Sequence, residues 1–490
     1  MVGGDNRIGD TLLISSLSIH GLRGFGNPVT LEPSIPNGQE GSGLTFIVGP
    51  NNSGKTTITE AIRMFNGGYE SPSFSEGKRN AASDHRVTIS MTEIDESHNH
   101  KHWEIKTHER GGSATETYYD GLKLKAGLRQ SYCPSKAYVL KSRRFVPFEF
   151  GRSQGTREDY LGNNGGIETT RDASLTYFES RIHQMDLRHK EIDCYLKRVM
   201  GSDFEWRLEQ RDSGSFYINF KNANSWHSIE GAGDGIWSIF TICDALYDAS
   251  AYSTIVIDEP ELSLHPSLQK RILKLLLEES KSKQILVMTH SPYLVSLEAL
   301  NNGGTLFRTS KDSQGNCRIR SLSVSTAENI CRQLRNLRNP HSFGMGAVEA
   351  FFLSDNVIVC EGQDDVIYYD KFCEQVGTDL YGEFFSWGAG GADNISLVLT
   401  ILQELGFEKV VAIFDGDKEE AANRCVKSFP HYKIIVIPEN DVRDKEVVKQ
   451  RDAVKGLADE KGQLKSENLK YIKLIYADIN AYFGNGLLPI

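Results

Sequence analysis

The chain has 490 residues, 65 acidic and 55 basic, for a formal net charge of −10. That length gives room for roughly two to four domains, and a net negative molecule does not attract nucleic acid as a whole, so contact with DNA must come from a local basic patch or from bound metal ions. The 8 cysteines show neither a C-x-x-C pair nor zinc-ligand spacing, and the N-terminus has no apolar signal region, so the expectation is a cytoplasmic protein with reduced thiols and no membrane partner.

Leu12 to Phe25 alternates apolar residues (Leu13, Leu17, Ile19, Leu22), which predicts an opening strand and turn. The apolar run Leu44 to Val48 then breaks into Gly49-Pro50-Asn51-Asn52-Ser53-Gly54-Lys55-Thr56-Thr57. This is the spacing of a phosphate-binding loop: Gly49 and Gly54 permit the backbone angles that turn N–H groups inward, Lys55 reaches the β- and γ-phosphates, and the Thr56 hydroxyl can ligate Mg²⁺. A helix expected over Thr57 to Phe65 points its positive end at the same anion. Arg86 to Leu124 alternates again (Val87, Ile89, Met91, Trp103, Ile105), which suggests an antiparallel β-layer attached to the nucleotide-binding sheet.

From Lys136 to Arg157 basic residues interleave with Tyr138, Phe145, Phe148 and Phe150. The pattern suits either a nucleic-acid groove or a solvated face over core aromatics. Ser174 to Met200 reads as a helix whose apolar seam (Leu175, Phe178, Ile182, Met185, Ile192, Leu196, Val199) predicts a helical lobe or a dimer contact; His189 shares the seam and is assigned no chemistry. A second glycine-rich loop, Ser228 to Gly235 with Gly231 and Gly233, feeds an apolar helix from Ile236 and offers another anion site. Ser253 to Glu261 is a β-branched strand ending in Asp258 and Glu259, placed to hold Mg²⁺ and to activate water. Another strand, Gln284 to Met288, ends in Thr289-His290-Ser291, where His290 can contact the γ-phosphate.

In this order the motifs resemble the ABC class of ATPase, in the branch without membrane spans that includes SMC-like and OLD proteins. The resemblance implies that Gly49 to Thr57 is Walker A, Asp258 and Glu259 are Walker B and catalytic base, His290 is the switch histidine, and Ser228 to Gly235 is a signature loop. In that class the signature loop caps ATP bound by a second copy, which implies a homodimer or larger homo-oligomer.

Beyond Arg308 a polar loop, Ser310 to Asn316, leads to a helix with Arg332, Arg335 and Arg338 on one face, and Pro340 to Gly346 reads as a linker. The strand Val357 to Cys360 ends on Glu361, turns at Gly362 and enters a helix carrying Asp365. The strand Val410 to Phe414 ends in the same way on Asp415, with Asp417 and Glu419 following. Parallel strands with acids at their C-terminal ends put those acids in one crevice, and crowded carboxylates call for cations. All-oxygen ligands favour Mg²⁺ or Mn²⁺. The pair E-G-x-x-D and D-x-D-x-E resembles the Toprim domain, and Ser386 to Gly391 is similar to the glycine-rich turn between these motifs in OLD proteins. An ABC ATPase fused to a C-terminal Toprim domain is the arrangement of the OLD family of nucleases.

That resemblance implies an α/β fold: an ABC-type ATPase domain over residues 1–345 (mixed sheet, antiparallel β-layer, helical insertion at about 170–202), a parallel-sheet Toprim domain over 346–455, and a helical tail over 456–490. It implies ATP and Mg²⁺ as cofactors and DNA as substrate. Glu361, Asp365, Asp415, Asp417 and Glu419 would be metal ligands, and a lysine, Lys445 or alternatively Lys449, would steady the phosphate charge. It further implies anti-phage defence beside a helicase or a retron reverse transcriptase. Whether ATP drives or restrains cutting stays open, as does an SMC-like DNA clamp without nuclease activity.

Overall fold

The computed structural model describes residues 13–65, 74, 76–83, 86–95, 97–107, 115–124, 137–142, 170–171, 186, 189–212, 214, 216–222, 225–228, 234–334, 350–353, 355–385, 388–445 and 453–484. It divides into two compact units, Met1–Ile319 and Arg320–Ile490.

The first unit is built on a seven-stranded sheet in the order Cys317–Ser321, Thr305–Lys311, Leu44–Val48, Gln284–Met288, Thr254–Asp258, Tyr138–Leu140, Thr170–Arg171. From Thr305–Lys311 across to Thr170–Arg171 every pairing is parallel. Its three central strands are buried throughout, as expected where both faces of a parallel sheet are covered. A separate six-stranded sheet (Val29–Leu31, Leu13–His20, Thr88–Ile94, His100–Thr107, Thr115–Tyr119, Leu122–Lys123) is antiparallel at each step. Its inward residues Leu17, Ile19, Ile89, Met91 and Ile105 share one core with Ile47, Ile58 and Ile62, so the β-layer and the phosphate-loop segment are packed together.

The described part of the 174–200 helix is His189–Met200. Ile192, Leu196 and Val199 are fully buried, and the helix packs on Asp234–Asp248 and Pro266–Glu279. That stretch of the seam is therefore covered within the chain itself. Residues 174–185, 187 and 188 lie outside the described residues, as do Lys136, residues 143–157, Gly231, Gly233, Arg335, Arg338, the 340–346 linker, Ser386, Trp387 and Lys449. Tyr138 is a core residue whose hydroxyl donates to Asp248 O at 3.0 Å, so this aromatic of the basic stretch stands behind the surface. An antiparallel meander (Trp206–Gln210, Phe216–Asn222, Ser225–Ser228) that the sequence pattern did not reveal precedes the Asp234 helix.

The second unit has a four-stranded sheet in the order Glu383–Phe384, Asn356–Val359, Lys409–Phe414, Lys433–Val436, parallel throughout. Helix Ser466–Phe483, read as part of a charged tail, buries Ile472, Tyr476, Ile479 and Phe483 in the same core as Ile358, Tyr369, Phe372 and Val411. Helix Val324–Leu334 belongs to this unit: Ser323 and Thr326 donate hydroxyl bonds to Glu404 Oε1 at 2.8 and 2.7 Å. The division therefore falls earlier than residue 345. Between Lys311 and that helix lies the strand Cys317–Ser321, where a polar loop leading directly to the helix was expected. Among the described residues no helix is long and apolar enough to cross a membrane.

Candidate functional site

Three adjacent strands of the first unit end at one edge. Ile47 pairs with Met288 and Met288 with Asp258, so the loops that follow open side by side. The loop after Val48 turns through positive φ at Gly49, Asn52 and Gly54. A Cβ on Gly49 would lie 2.2 Å from Thr309 O, and one on Gly54 2.7 Å from the Phe25 ring, so glycine is required by packing as well as by φ. Ser53 Oγ donates to Pro50 O at 2.7 Å and shares a 2.6 Å hydrogen bond with Thr309 Oγ1, a support that spacing alone could not reveal. The helix starts at Lys55 rather than Thr57, with the left-handed Gly54 as its cap. Asn51, Asn52 and Thr56 are exposed on the rim, and Thr57 is buried.

Lys55 Nζ donates to the carbonyls of Gly49 at 2.8 Å and Pro50 at 2.9 Å. Burial lowers its pKa to about 8, against the upward pull of the Asp258, Glu259 and Glu261 charges. Asp258 is buried at the strand end. Glu259 follows at φ 49°, its N–H donating to Met288 O at 2.8 Å. Its Oε1 lies 3.8 Å from His290 Nε2. Burial, and then the Lys55 charge, depress the imidazole to about 4, so His290 is neutral at pH 7. Glu261, which the sequence left without a role, accepts from His290 N at 2.6 Å and from Thr289 Oγ1 at 2.9 Å. The helix beyond the second glycine-rich loop runs close to this turn: a Cβ on Gly235 would lie 2.3 Å from Ser263 O.

In the second unit, Asn356–Val359 and Lys409–Phe414 pair directly, so Glu361 and Asp415 leave neighbouring strand ends. Glu361 Oε1 accepts from Asp415 N at 3.0 Å. Gly391 N donates to Glu361 O at 2.8 Å, and a Cβ on Gly388 would lie 2.7 Å from Gly362 backbone atoms, so the described part of the glycine-rich turn closes over the Glu361 loop. Asp365 caps its own helix by accepting from Gly362 N at 2.8 Å. Burial, Asp365 and Glu361, in that order, push Asp415 up to about 9, with Asp441 and Asp417 adding to the effect. Burial likewise raises Asp365 to about 7 and lifts Glu361 above the usual carboxylate range.

Asp441 is thus a fifth acid in this corner, contributed by the strand Asp441–Arg443 and unforeseen because it lies outside the two motifs that end the Asn356–Val359 and Lys409–Phe414 strands. Lys445 is brought here too: it pairs with Asp441, lies 3.9 Å from Asp364, and its charge acts on Asp365. Asp417 pairs with Lys418. Glu419 is exposed at the start of its helix and is not among the charges that most perturb Glu361, Asp365 or Asp415. Among the described residues no group of three or more His, Cys, Asp or Glu side chains is closed tightly enough to hold a metal ion as it stands. The donors are all oxygen and mutually repelling, which suits a hard divalent cation in chemistry though not yet in closure.

Residues 99–296 match the AAA_21 family, described as an AAA domain, and residues 352–417 match the TOPRIM domain of overcoming lysogenization defect protein-like proteins. Septu protein PtuA of Bacillus thuringiensis is 25% identical over 321 residues, covering 59% of this chain and 74% of its own. Endonuclease GajA of Bacillus cereus (strain VD045) is 25% identical over 215 residues, covering 43% of this chain and 35% of its own. Solved Smc head domains, one bound to the C-winged helix domain of ScpA and one from Thermotoga maritima, align over 64% and 63% of this chain with TM-scores of 0.44 and 0.40 and identities of 16% and 17%. The second match takes in Glu361, Asp365, Asp415 and Asp417 and stops before Glu419, Asp441 and Lys445. The chain carries an AAA-type ATPase domain followed by an OLD-like TOPRIM domain.

Proposed function

We propose that this protein is a DNA endonuclease that depends on divalent metal, cuts through its TOPRIM acids, and is controlled by nucleotide bound to its ATPase domain. The observation that carries the reading is the meeting of Glu361 and Asp415 at neighbouring strand ends, Glu361 Oε1 accepting from Asp415 N at 3.0 Å, where burial and the acids around it push Asp415 up to about 9. Such repulsion is relieved by bound cations. Glu361, Asp365, Asp415 and Asp417 would hold Mg²⁺ or Mn²⁺, with Glu419 needing a larger swing to join them. The ions would activate water and neutralise charge on the scissile phosphate. Lys445, paired with Asp441, would meet phosphate charge on the same side.

On the nucleotide side, Lys55 would leave the Gly49 and Pro50 carbonyls for the β- and γ-phosphates. Thr56 and Asp258 would hold the nucleotide's Mg²⁺. Glu259 would take the proton of the attacking water while neutral His290 donates or accepts beside it. Gly231 and Gly233 would cap the nucleotide of a second copy in a homodimer. The name of endonuclease GajA agrees with phosphodiester cutting, and anti-phage defence is part of the same proposal.

Supercoiled plasmid incubated with the chain and Mn²⁺ tests this. Nicked or linear product is expected, and intact plasmid from a chain that still binds ATP would leave an ATP-dependent DNA clamp instead. Titrating cleavage with ATP and with a non-hydrolysable analogue separates a motor, which needs turnover, from a brake, which needs only occupancy.

A further inference from the structure

The ladder between the Thr254–Asp258 and Gln284–Met288 strands ends at Asp258 and Met288, followed by a single further backbone bond, Glu259 N to Met288 O at 2.8 Å. Past that point the two chain segments carry Glu259 and His290, whose relative placement decides whether they act on one water. Side chains take over the cross-linking there. Glu261 Oε1 accepts from His290 N at 2.6 Å and Oε2 from Thr289 Oγ1 at 2.9 Å, while Thr289 Oγ1 itself accepts from Ser291 N at 2.9 Å. A second tie runs from Ser291 Oγ to Gln269 Oε1, and Gln269 Nε2 donates to Leu264 O at 2.8 Å.

We propose that Glu261 is a positioning residue for ATP hydrolysis, clamping the Thr289–His290 turn to the Glu259 turn so that the imidazole is held 3.8 Å from the Glu259 carboxylate. The inference rests on the ATPase part of the reading above and is independent of the nuclease part. Both Glu261 oxygens are engaged by donors of one turn, and the side chain acts through His290 rather than on phosphate. A carboxylate is suited to this because it accepts at both ends. Glutamine of the same shape presents an N–H₂ to one of the two donors and loses that bond.

The test uses the full chain and its E261Q, H290A and E261Q/H290A variants, reading ATP turnover together with the affinity for a fluorescent ATP analogue. A displacement of about 1 Å in a catalytic group costs on the order of 100-fold in rate. E261Q is therefore expected to lower kcat about tenfold or more with affinity nearly unchanged, and to add almost nothing to H290A, because the two substitutions break one device. Thr289→Ala, which removes the donor to Glu261 Oε2 and keeps the His290 N donor to Oε1, is expected to lower kcat by less and serves if E261Q does not fold. An unchanged kcat in E261Q or in Thr289→Ala, affinity falling in step with kcat, or losses that multiply in the double variant would overturn the assignment alone. Nucleotide bound by the wild-type chain without any turnover would overturn it together with the ATPase reading.

Discussion

The two sites are electrostatic opposites. At the phosphate loop a cation is buried among acids: Lys55 sits on its own loop carbonyls within reach of the Asp258, Glu259 and Glu261 charges, and its pKa is still drawn down to about 8. At the TOPRIM corner acids are buried among acids, with Lys445 on Asp441 and Lys418 on Asp417, and Asp415 stays pushed up to about 9. The first site has its positive charge built in and accepts an anion by moving one side chain. The second has to import its positive charge. In the proposed chemistry the metal dependence would lie at the second site, and imported cations would let a chain with a net charge of −10 act on DNA.

The largest effect that would sharpen the contrast is at Asp415. Replacing it with Ala is expected to abolish metal-dependent plasmid cleavage while leaving ATP affinity unchanged, measured on one preparation; undiminished cleavage would remove the residue from the nuclease site. A smaller effect lies in stability. With a folded pKa near 9 against an ordinary carboxylate value of about 4, folded Asp415 binds more protons than the unfolded chain between those limits. Its contribution is full below about pH 4 and is lost as pH rises through about 9. Asp415→Asn should therefore melt at least about 3 °C above the metal-free wild type at pH 9, with the gap closing towards acid. Equal melting at both ends would deny the repulsion.

The smallest effect is a proton count at the other site. The phosphates of ATP should restore the charge of Lys55, so binding at pH 8 to 9 takes up a fraction of a proton. Calorimetry in buffers of different ionisation enthalpy would show it, and a heat independent of buffer in that range would mean that Lys55 is already fully charged.

Much of this was legible in the sequence because the relevant signals are local. Leu44–Val48, Thr254–Asp258 and Gln284–Met288 are short runs rich in β-branched residues that end at chemistry-bearing loops, and Gly49 and Gly54 are spaced by the geometry of the loop itself. Glu361 and Asp415 announced themselves as acids at the ends of such runs. What stayed hidden depends on distant partners. Thr309 supports Ser53 across more than two hundred residues of chain. Asp441 joins the acid corner through a short strand paired to Gly456–Ala458. Glu261 was visible in the run Asp258-Glu259-Pro260-Glu261, yet its partners lie in the turn that follows the neighbouring strand Gln284–Met288. The Ser466–Phe483 helix did carry a readable stripe, Ile472, Ile475, Tyr476, Ile479 and Phe483, but Lys470, Lys473 and Asp478 between those positions gave it the look of a solvated tail.

The central claim, that one polypeptide joins a triphosphate-gripping unit to an acid corner built for divalent ions, is tested most directly by anomalous diffraction from manganese-soaked crystals of the wild type and of Asp415→Asn. The account predicts an anomalous peak at the Glu361 and Asp415 carboxylates in the wild type and a weakened or absent peak in the variant. Wild-type crystals in which Glu361 and Asp415 carry no manganese, while the ion is found at the Thr56 and Asp258 loop, would contradict it.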